Sequence, residues 1–382
     1  MVIADVQPLS RSPRLDGLTG LRWWAAFLVF LYHVQVVAPI PGPLSAVLRQ
    51  GYLGVTFFFV LSGFVLTWSF APVLRRSTFY LRRFARIFPS HAVAWMLAVP
   101  VFYAVLPIAA PIWVRPVDGP VLLLSFVLLQ GWFTVPAILF AGNPAAWTLT
   151  CEFFFYAIHP FAQRILRIMT VRATLLTALG VVAVAWAYRA SAWAFDGSWW
   201  ANLPLPIQRA PEFILGMCIA WAIRQGWRPR VPVAVGIVAL AAVVLVIAVV
   251  PAWMPDQLPG IIVGRFGNEA FTVACALAIV AVAVSGLDGH RSVFGDRVQV
   301  RLGEWSFAFY LVHATVIYFV LWFIEPLAPS WWNVLPSAGL FLVGLLIAAL
   351  LFHGVERPVE RRIRRWKDAR DRSLDLAAES PG

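Results

Sequence analysis

Hydrophobic residues in this chain come in blocks. Apolar runs fall at roughly 21–40, 52–71, 91–110, 120–140, 146–163, 173–192, 208–223, 232–251, 268–287, 304–324 and 335–355. Most approach the ~20 residues that an α-helix needs to cross about 30 Å of hydrocarbon. The pattern predicts an all-α fold, a polytopic transmembrane helix bundle.

The basic residues between the runs predict its topology. Arg75, Arg76, Arg82, Arg83 and Arg86 follow the second run, and Arg164, Arg167 and Arg172 the fifth. Further clusters are Arg224, Arg228 and Arg230, then Arg291, Arg297 and Arg301, and last Arg357, Arg361, Arg362, Arg364, Arg365 and Lys367. Such clusters mark cytoplasmic loops. They agree with one another only if 120–140 and 146–163 together make one net crossing. The stretch between them holds Pro136, Gly142 and Pro144, so one of the pair reads as re-entrant or broken. About ten crossings remain, with both termini cytoplasmic. Irregular backbone at membrane depth is tolerated where it lines a protein cavity, which makes this region a candidate site. The domain reading is a cytoplasmic segment 1–20, one membrane domain 21–356 and a basic, then polar, cytoplasmic tail 357–382. The first run reads as a retained helix, because no small-residue cleavage site follows it.

Composition agrees. The chain is 61% hydrophobic and 13% charged, against about 25% charged in soluble domains. A net charge of +12 would suggest nucleic acid in a soluble protein. Here the basic residues sit between apolar runs, so membrane lipids are the expected partner and nucleic acid is not. Cys151, Cys218 and Cys275 lie in apolar runs without CxxC spacing and read as small core residues, with no metal site.

Candidate chemistry begins in the first run. Arg22 and His33 are eleven positions apart, close to three helical turns, so they share one face. The rise is roughly 16 Å, which sets Arg22 near one membrane surface and His33 about halfway across, as one wall of a catalytic tunnel. A neutral imidazole there is a competent general base toward a hydroxyl; a histidine satisfied by a backbone carbonyl and a snorkelling arginine are the bland readings. Gly54, Ser62 and Gly63 read as a close helix–helix contact. In the loop 82–89, Arg82 and Arg86 share a helical face, and guanidinium forks suit phosphates; a topology signal or anionic lipid explains them equally well. Glu152, Tyr156 and His159 form one helical stripe. A carboxylate among phenylalanines needs a partner: Arg22, an arginine of the cytoplasmic loop, or His33. Ser306, Tyr310 and His313 form a second stripe, in which His313 assists His33 or bonds across the bundle.

Taken in order, these residues resemble the acyltransferase-3 family of integral membrane O-acyltransferases. The resemblance runs from Leu15-Asp16-Gly17 to Glu356-Arg357-Pro358. It rests on Arg22-x10-His33, the Phe-Phe-x-x-Ser-Gly-Phe stretch ending at Phe64 and the Arg-x-x-Arg-Ile-x-Pro run ending at Pro89. To these it adds the Trp147-Thr-Leu-Thr-x-Glu152 segment and the Ser306, Tyr310, His313 helix. This chain departs from the family in having Thr148, Thr150 and Cys151 where serines and Val-Glu are common, and Phe153 where a second polar residue often follows the glutamate.

The resemblance implies an acyl-CoA co-substrate, acetyl-CoA or another short acyl-CoA, entering from the cytoplasm, with no permanently bound cofactor. The acceptor is a hydroxyl on a sugar, glycan or macrolide-like metabolite. It also assigns roles. Arg82, Arg83 and Arg86 hold the CoA phosphates, and Arg22 orients the thioester end. His33 takes the acceptor's proton or carries the acyl group itself, and Glu152 pairs with His33 or Arg22. Tyr310 or His313 donates to the thioester oxygen, and Trp147 and Ser306 contact substrate. The competing class is a proton-coupled transporter, with His33, Glu152 and His313 as a relay. A non-catalytic scaffold is the third.

Overall fold

The computed structural model describes residues 13–70, 76–106, 110–290 and 292–379. Among them the fold is helical. The first helices are α1 (Asp16–Val34), α2 (Pro43–Leu48), α3 (Gly54–Trp68), α4 (Arg76–Phe102) and α5 (Gly119–Phe126). Then come α6 (Pro136–Leu139), α7 (Trp147–Arg167), α8 (Val171–Ala194), α9 (Leu205–Gln208) and α10 (Ala210–Arg224). The last are α11 (Val233–Trp253), α12 (Leu258–Leu287), α13 (Arg297–Val320), α14 (Val334–Leu351) and α15 (Arg357–Glu379). The strands among the described residues are β1 (Tyr103–Ala104) and β2 (Arg115–Pro116), paired in parallel.

Six helical stretches are long and apolar enough to cross a membrane: Pro43–Trp68, Arg76–Phe102, Val171–Ala194, Val233–Trp253, Leu258–Leu287 and Trp331–Lys367. The expected count of about ten is not confirmed. Helix α10, at 15 residues, rises only ~22 Å, while α1, α7 and α13 carry polar residues inside their apolar runs. Long side chains such as Val238 and Leu245 of α11 and Leu342 and Leu346 of α14 are exposed, as helices facing lipid require.

Three boundaries differ from the sequence pattern. The run 21–40 is not one helix: α1 begins at Asp16 and ends at Val34, ahead of Pro39 and Pro41, which disfavour helix before them. His33 therefore sits in the last turn of α1. The arginines expected in a loop, Arg82, Arg83 and Arg86, lie on α4, whose helix passes through Pro89 and Pro100. The chain does not end its last helix at 356. A π-helical turn, Phe352–Glu356, joins α14 to α15, and Pro358 occupies the first turn, where no backbone donor is needed. The run 120–140 is broken, as expected, into α5, a 3-10 turn at Gln130–Trp132 and α6. Arg75 and Arg291, with residues 1–12 and 380–382 of the assigned end segments, lie outside the described residues.

The chain divides into two compact units. Unit 1 takes its described residues from Met1–Gln35, Pro41–Val73 and Ile158–Glu304; unit 2 from Val36–Ile40, Leu74–Ala157 and Trp305–Gly382.

In unit 1, α3 and α10 run parallel and cross at two glycines. A Cβ at Gly63 would lie 1.9 Å from the Phe213 carbonyl oxygen, and one at Gly216 1.9 Å from that of Val60. Only hydrogen fits at either position, so Gly63 makes the close approach that its spacing suggested. The helices are fastened at both ends. At one, Arg209 Nη2 donates to Thr56 Oγ1 (3.2 Å). At the other, Arg224 Nη1 donates to the carbonyls of Thr67, Trp68 and Phe70 (2.9, 3.0 and 2.9 Å), satisfying acceptors that the end of α3 leaves open.

In unit 2 the start of α7 is tied to α13. Asn143 Nδ2 donates to the Leu311 carbonyl (2.8 Å), while its Oδ1 accepts from Ala145 N (3.1 Å). In the broken segment, Gly142 holds a positive φ of 68°, and a Cβ there would meet Trp95 Nε1 at 2.3 Å. The backbone closes onto Trp95 and Ser125 only because this residue is glycine.

Candidate active site

The expected site residues fall into two sets. Arg22 and His33 belong to unit 1; Arg82, Arg83, Arg86, Trp147, Glu152, Ser306, Tyr310 and His313 belong to unit 2.

In unit 1, the Arg22 guanidinium clasps one backbone carbonyl, donating from Nε (3.1 Å) and Nη2 (2.6 Å) to Gly303 O. Close packing makes this reach possible, since a Cβ at Gly303 would sit 1.9 Å from the Thr19 carbonyl oxygen. His33 is half-buried, and its Nδ1 lies 2.9 Å from the Val29 carbonyl oxygen. A carbonyl can only accept, so Nδ1 carries the hydrogen and the neutral ring keeps its lone pair on Nε2. Tyr32 lies edge-on to the ring at 4.8 Å, and Tyr52 lies 5.9 Å beyond Tyr32.

In unit 2, the arginines of α4 meet different partners. Arg86 Nη1 lies 2.5 Å from Glu356 Oε1 and 3.4 Å from Glu360 Oε2, and Glu360 also pairs with Arg364 (2.5 Å). Arg83 stacks over the rings of Phe79 (5.7 Å) and Tyr156 (5.8 Å), a cation–π arrangement. The Tyr156 hydroxyl donates to Glu152 Oε2 at 3.1 Å. Glu152 thus meets the tyrosine of its own stripe, a partner the sequence did not suggest, and through it stands beside Arg83.

The α13 stripe is committed internally. Tyr310 donates its hydroxyl to the Ala145 carbonyl (3.2 Å). His313, 1% exposed, holds its Nδ1 on the Tyr310 carbonyl (2.7 Å) and stacks against Phe309. Ser306 is fully buried, and Trp147 opens α7. The three cysteines are buried and form no disulfide, and no group of residues able to hold a metal occurs among the described residues.

Sequence reasoning missed two pairs of carboxylates. Glu356 and Glu360 are four residues apart, with Arg364 four further on, a legible helical stripe. Glu212 and Glu269 stand inside apolar runs, where an ionisable residue is a functional candidate by default.

These features define a membrane helix bundle with a half-exposed histidine on one unit and a stacked, carboxylate-braced arginine cluster on the other. The chain belongs to the Acyl_transf_3 family, acyltransferase domain, whose model matches residues 15–353. It is similar to the acyltransferase MdmB of Streptomyces mycarofaciens, 35% identical over 80% of each chain. It is also similar to the peptidoglycan O-acetyltransferase OatA of Listeria monocytogenes and the putative peptidoglycan O-acetyltransferase YrhL of Bacillus subtilis. Each is 25% identical, over 97% and 92% of this chain. The match spans 59% of the length of OatA and 58% of YrhL. No solved structure matches.

Proposed function

We propose that the chain moves an acetyl or other short acyl group from acyl-CoA to a hydroxyl of a sugar, glycan or macrolide-like metabolite. His33 carries this reading. With Nδ1 spent on the Val29 carbonyl, Nε2 is the atom that takes the acceptor's proton. The acceptor oxygen then attacks the thioester carbonyl, the C–S bond breaks, and the sulfur leaves with the proton that His33 held. In the covalent variant, Nε2 attacks the thioester carbonyl, the C–S bond breaks and CoA leaves as thiolate; the acceptor hydroxyl then displaces Nε2 from the acyl carbon, and its proton goes to the thiolate.

Arg82 and Arg83 hold the donor's phosphates. Arg86, enclosed by two carboxylates, braces the helix that carries them. Glu152 keeps Tyr156 under the Arg83 guanidinium, Arg22 orients the thioester end, and Trp147 and Ser306 contact substrate. Tyr310 and His313 fasten α13. Both termini face the cytoplasm, the side on which the arginine clusters lie. The name of OatA supports the acetyl group and a glycan acceptor.

The test uses the full chain in lipid nanodiscs with acetyl-labelled acetyl-CoA. Saturable release of CoA thiol is expected, and Arg83→Ala raises KM for acetyl-CoA with little change in kcat. Absence of thiol release, or sugar uptake into vesicles without CoA consumption, overturns the proposal.

A further inference from the structure

Helix α15 carries more positive charge than its packing uses. From Arg357 to Lys367 the basic residues are Arg357, Arg361, Arg362, Arg364, Arg365 and Lys367, and the only acid among them is Glu360. Glu360 is already engaged: Arg86 of α4 reaches its Oε2 (3.4 Å), and Arg364 its Oε1 (2.5 Å). Glu360, the half-buried Ile363 and the buried Lys367 recur at helical spacing, on the side of α15 that Arg86 grips. Arg357, Arg361 and Arg365 recur every four residues on another side, with Arg362 next to them. All four are exposed, and none is in an ion pair among the described residues.

The preceding helix indicates what lies beside that stripe. On α14 the exposed leucines Leu342, Leu346 and Leu350 also recur every four residues, on a side fit to meet acyl chains. The π-helical turn Phe352–Glu356 carries the helix on without a break. Arg357 stands seven residues past Leu350, about two turns further along, so the leucine stripe and the arginine stripe face the same way. The rise over those residues is roughly 10 Å, and headgroups occupy about 5–7 Å outside each face of the hydrocarbon. The first guanidinium groups thus come level with the phosphates of the lipids whose chains cover the leucines. A topology signal needs only a number of charges; it does not need them unpaired and on the lipid side.

We propose that Arg357, Arg361, Arg362 and Arg365 form a binding stripe for anionic phospholipid headgroups at the membrane surface where α14 ends. Guanidinium forks take phosphate oxygens in pairs. A lipid with net negative charge outcompetes a zwitterionic one, whose own cation cancels its phosphate. The stripe is distinct from the donor arginines Arg82 and Arg83, which belong to α4, the helix that grips α15 on its other side. No step of the acyl transfer proposed above runs through these four residues, so the two readings stand or fall separately.

The test immobilises the full chain in a neutral detergent and titrates it with radiolabelled dioleoylphosphatidylglycerol or dioleoylphosphatidylcholine, reading retained label and melting temperature. Tighter retention of phosphatidylglycerol is expected, and high salt abolishes the preference by screening. That arm needs no variant. An arginine near an anionic surface is worth about fivefold in affinity. The fourfold variant Arg357→Gln, Arg361→Gln, Arg362→Gln, Arg365→Gln should therefore raise the Kd for phosphatidylglycerol about a hundredfold or more and leave that for phosphatidylcholine unchanged. A control with the same change of charge replaces the exposed Arg164, Arg167, Arg172 and Arg230 by Gln and keeps the preference. Both variants alter exposed positions only, so both should melt close to wild type. Equal retention of the two lipids by wild type, an equal loss in the control, or a preference that survives high salt overturns the proposal. Displacement of phosphatidylglycerol by acetyl-CoA also overturns it, because the stripe would then serve the soluble donor.

Discussion

Each unit holds a pair of carboxylates met by arginines, and the pairs are built differently. In unit 2, Glu356 and Glu360 close on the single guanidinium of Arg86, and Glu360 takes Arg364 as well. In unit 1, Glu212 and Glu269 each have their own arginine on one oxygen, and the other oxygen of each is buried without a hydrogen-bond partner among the described residues. The same residue types thus serve two ends. A carboxylate pair that shares one guanidinium ties the start of α15 and the turn before it to α4. A pair split between two guanidinium groups ties α12 to α8 and fixes Arg209 beside Thr56 of α3. The arginine clamp of unit 2 ties helices together, whereas His33 of unit 1 is the base proposed above, and substitutions can separate the two.

The largest effect belongs to His33. Its Nδ1 is fixed by Val29 while its ring is half-exposed, so His33→Ala removes a placed base and little packing. Acyl transfer falls by about 10²–10⁴-fold, while the melting temperature in nanodiscs stays close to wild type. Full turnover in a folded His33→Ala protein would remove the base from the mechanism. A melting temperature lowered along with turnover would show that His33 belongs to the architecture.

Arg86→Met gives the opposite signature. Glu356 is 0% exposed, and removing one partner of a buried ion pair costs about 3–5 kcal/mol, because the remaining charge is left buried. The variant should melt well below wild type or fail to elute as a single species. The double variant Arg86→Met Glu356→Leu should recover much of the loss, since a buried pair replaced by apolar residues is often neutral. Unchanged stability in Arg86→Met would free Arg86 for a direct role in donor binding.

How much of this was legible in the sequence depends on how local each feature is. The shared face of Arg22 and His33 followed from spacing alone, and the structure keeps both on α1. The position of His33 along that helix did not follow, because hydropathy delimits the apolar run whereas Pro39 and Pro41 delimit the helix. Gly63 was readable as a close contact, but Gly216 was not, since a close approach is a property of two helices. The Arg209–Glu212 pair is three residues apart and could have been read; Arg189–Glu269, eighty apart, could not. The count of about ten crossings is not confirmed by helix length and hydropathy, since α10 is short and α7 is striped with Glu152, His159 and Gln163.

A smaller effect is expected at Asn143. Its amide both caps the turn before α7 and holds the Leu311 carbonyl, so Asn143→Ala leaves a buried donor and a buried acceptor unmet. The expected loss is about 1–3 kcal/mol of stability, read as a lowered melting temperature with kcat preserved per folded molecule. Asn143→Asp separates the two bonds: it keeps the acceptor toward Ala145 N and loses the donor toward Leu311. A stability equal to that of wild type would mean that α13 is held on α7 by apolar packing alone.

The smallest effect, and the most informative about unit 2, is Tyr310→Phe. If the hydroxyl donated to a thioester oxygen in the transition state, its removal would lower kcat by about 10²-fold or more, the range of a lost oxyanion donor. The hydroxyl instead donates to the Ala145 carbonyl at 3.2 Å, which also receives Thr148 Oγ1 at 3.0 Å. Removing one of two donors from that oxygen leaves it satisfied, so the cost is about 0.5–1.5 kcal/mol of stability and kcat stays within roughly twofold of wild type. A kcat lowered a hundredfold at unchanged stability would return Tyr310 to the chemistry.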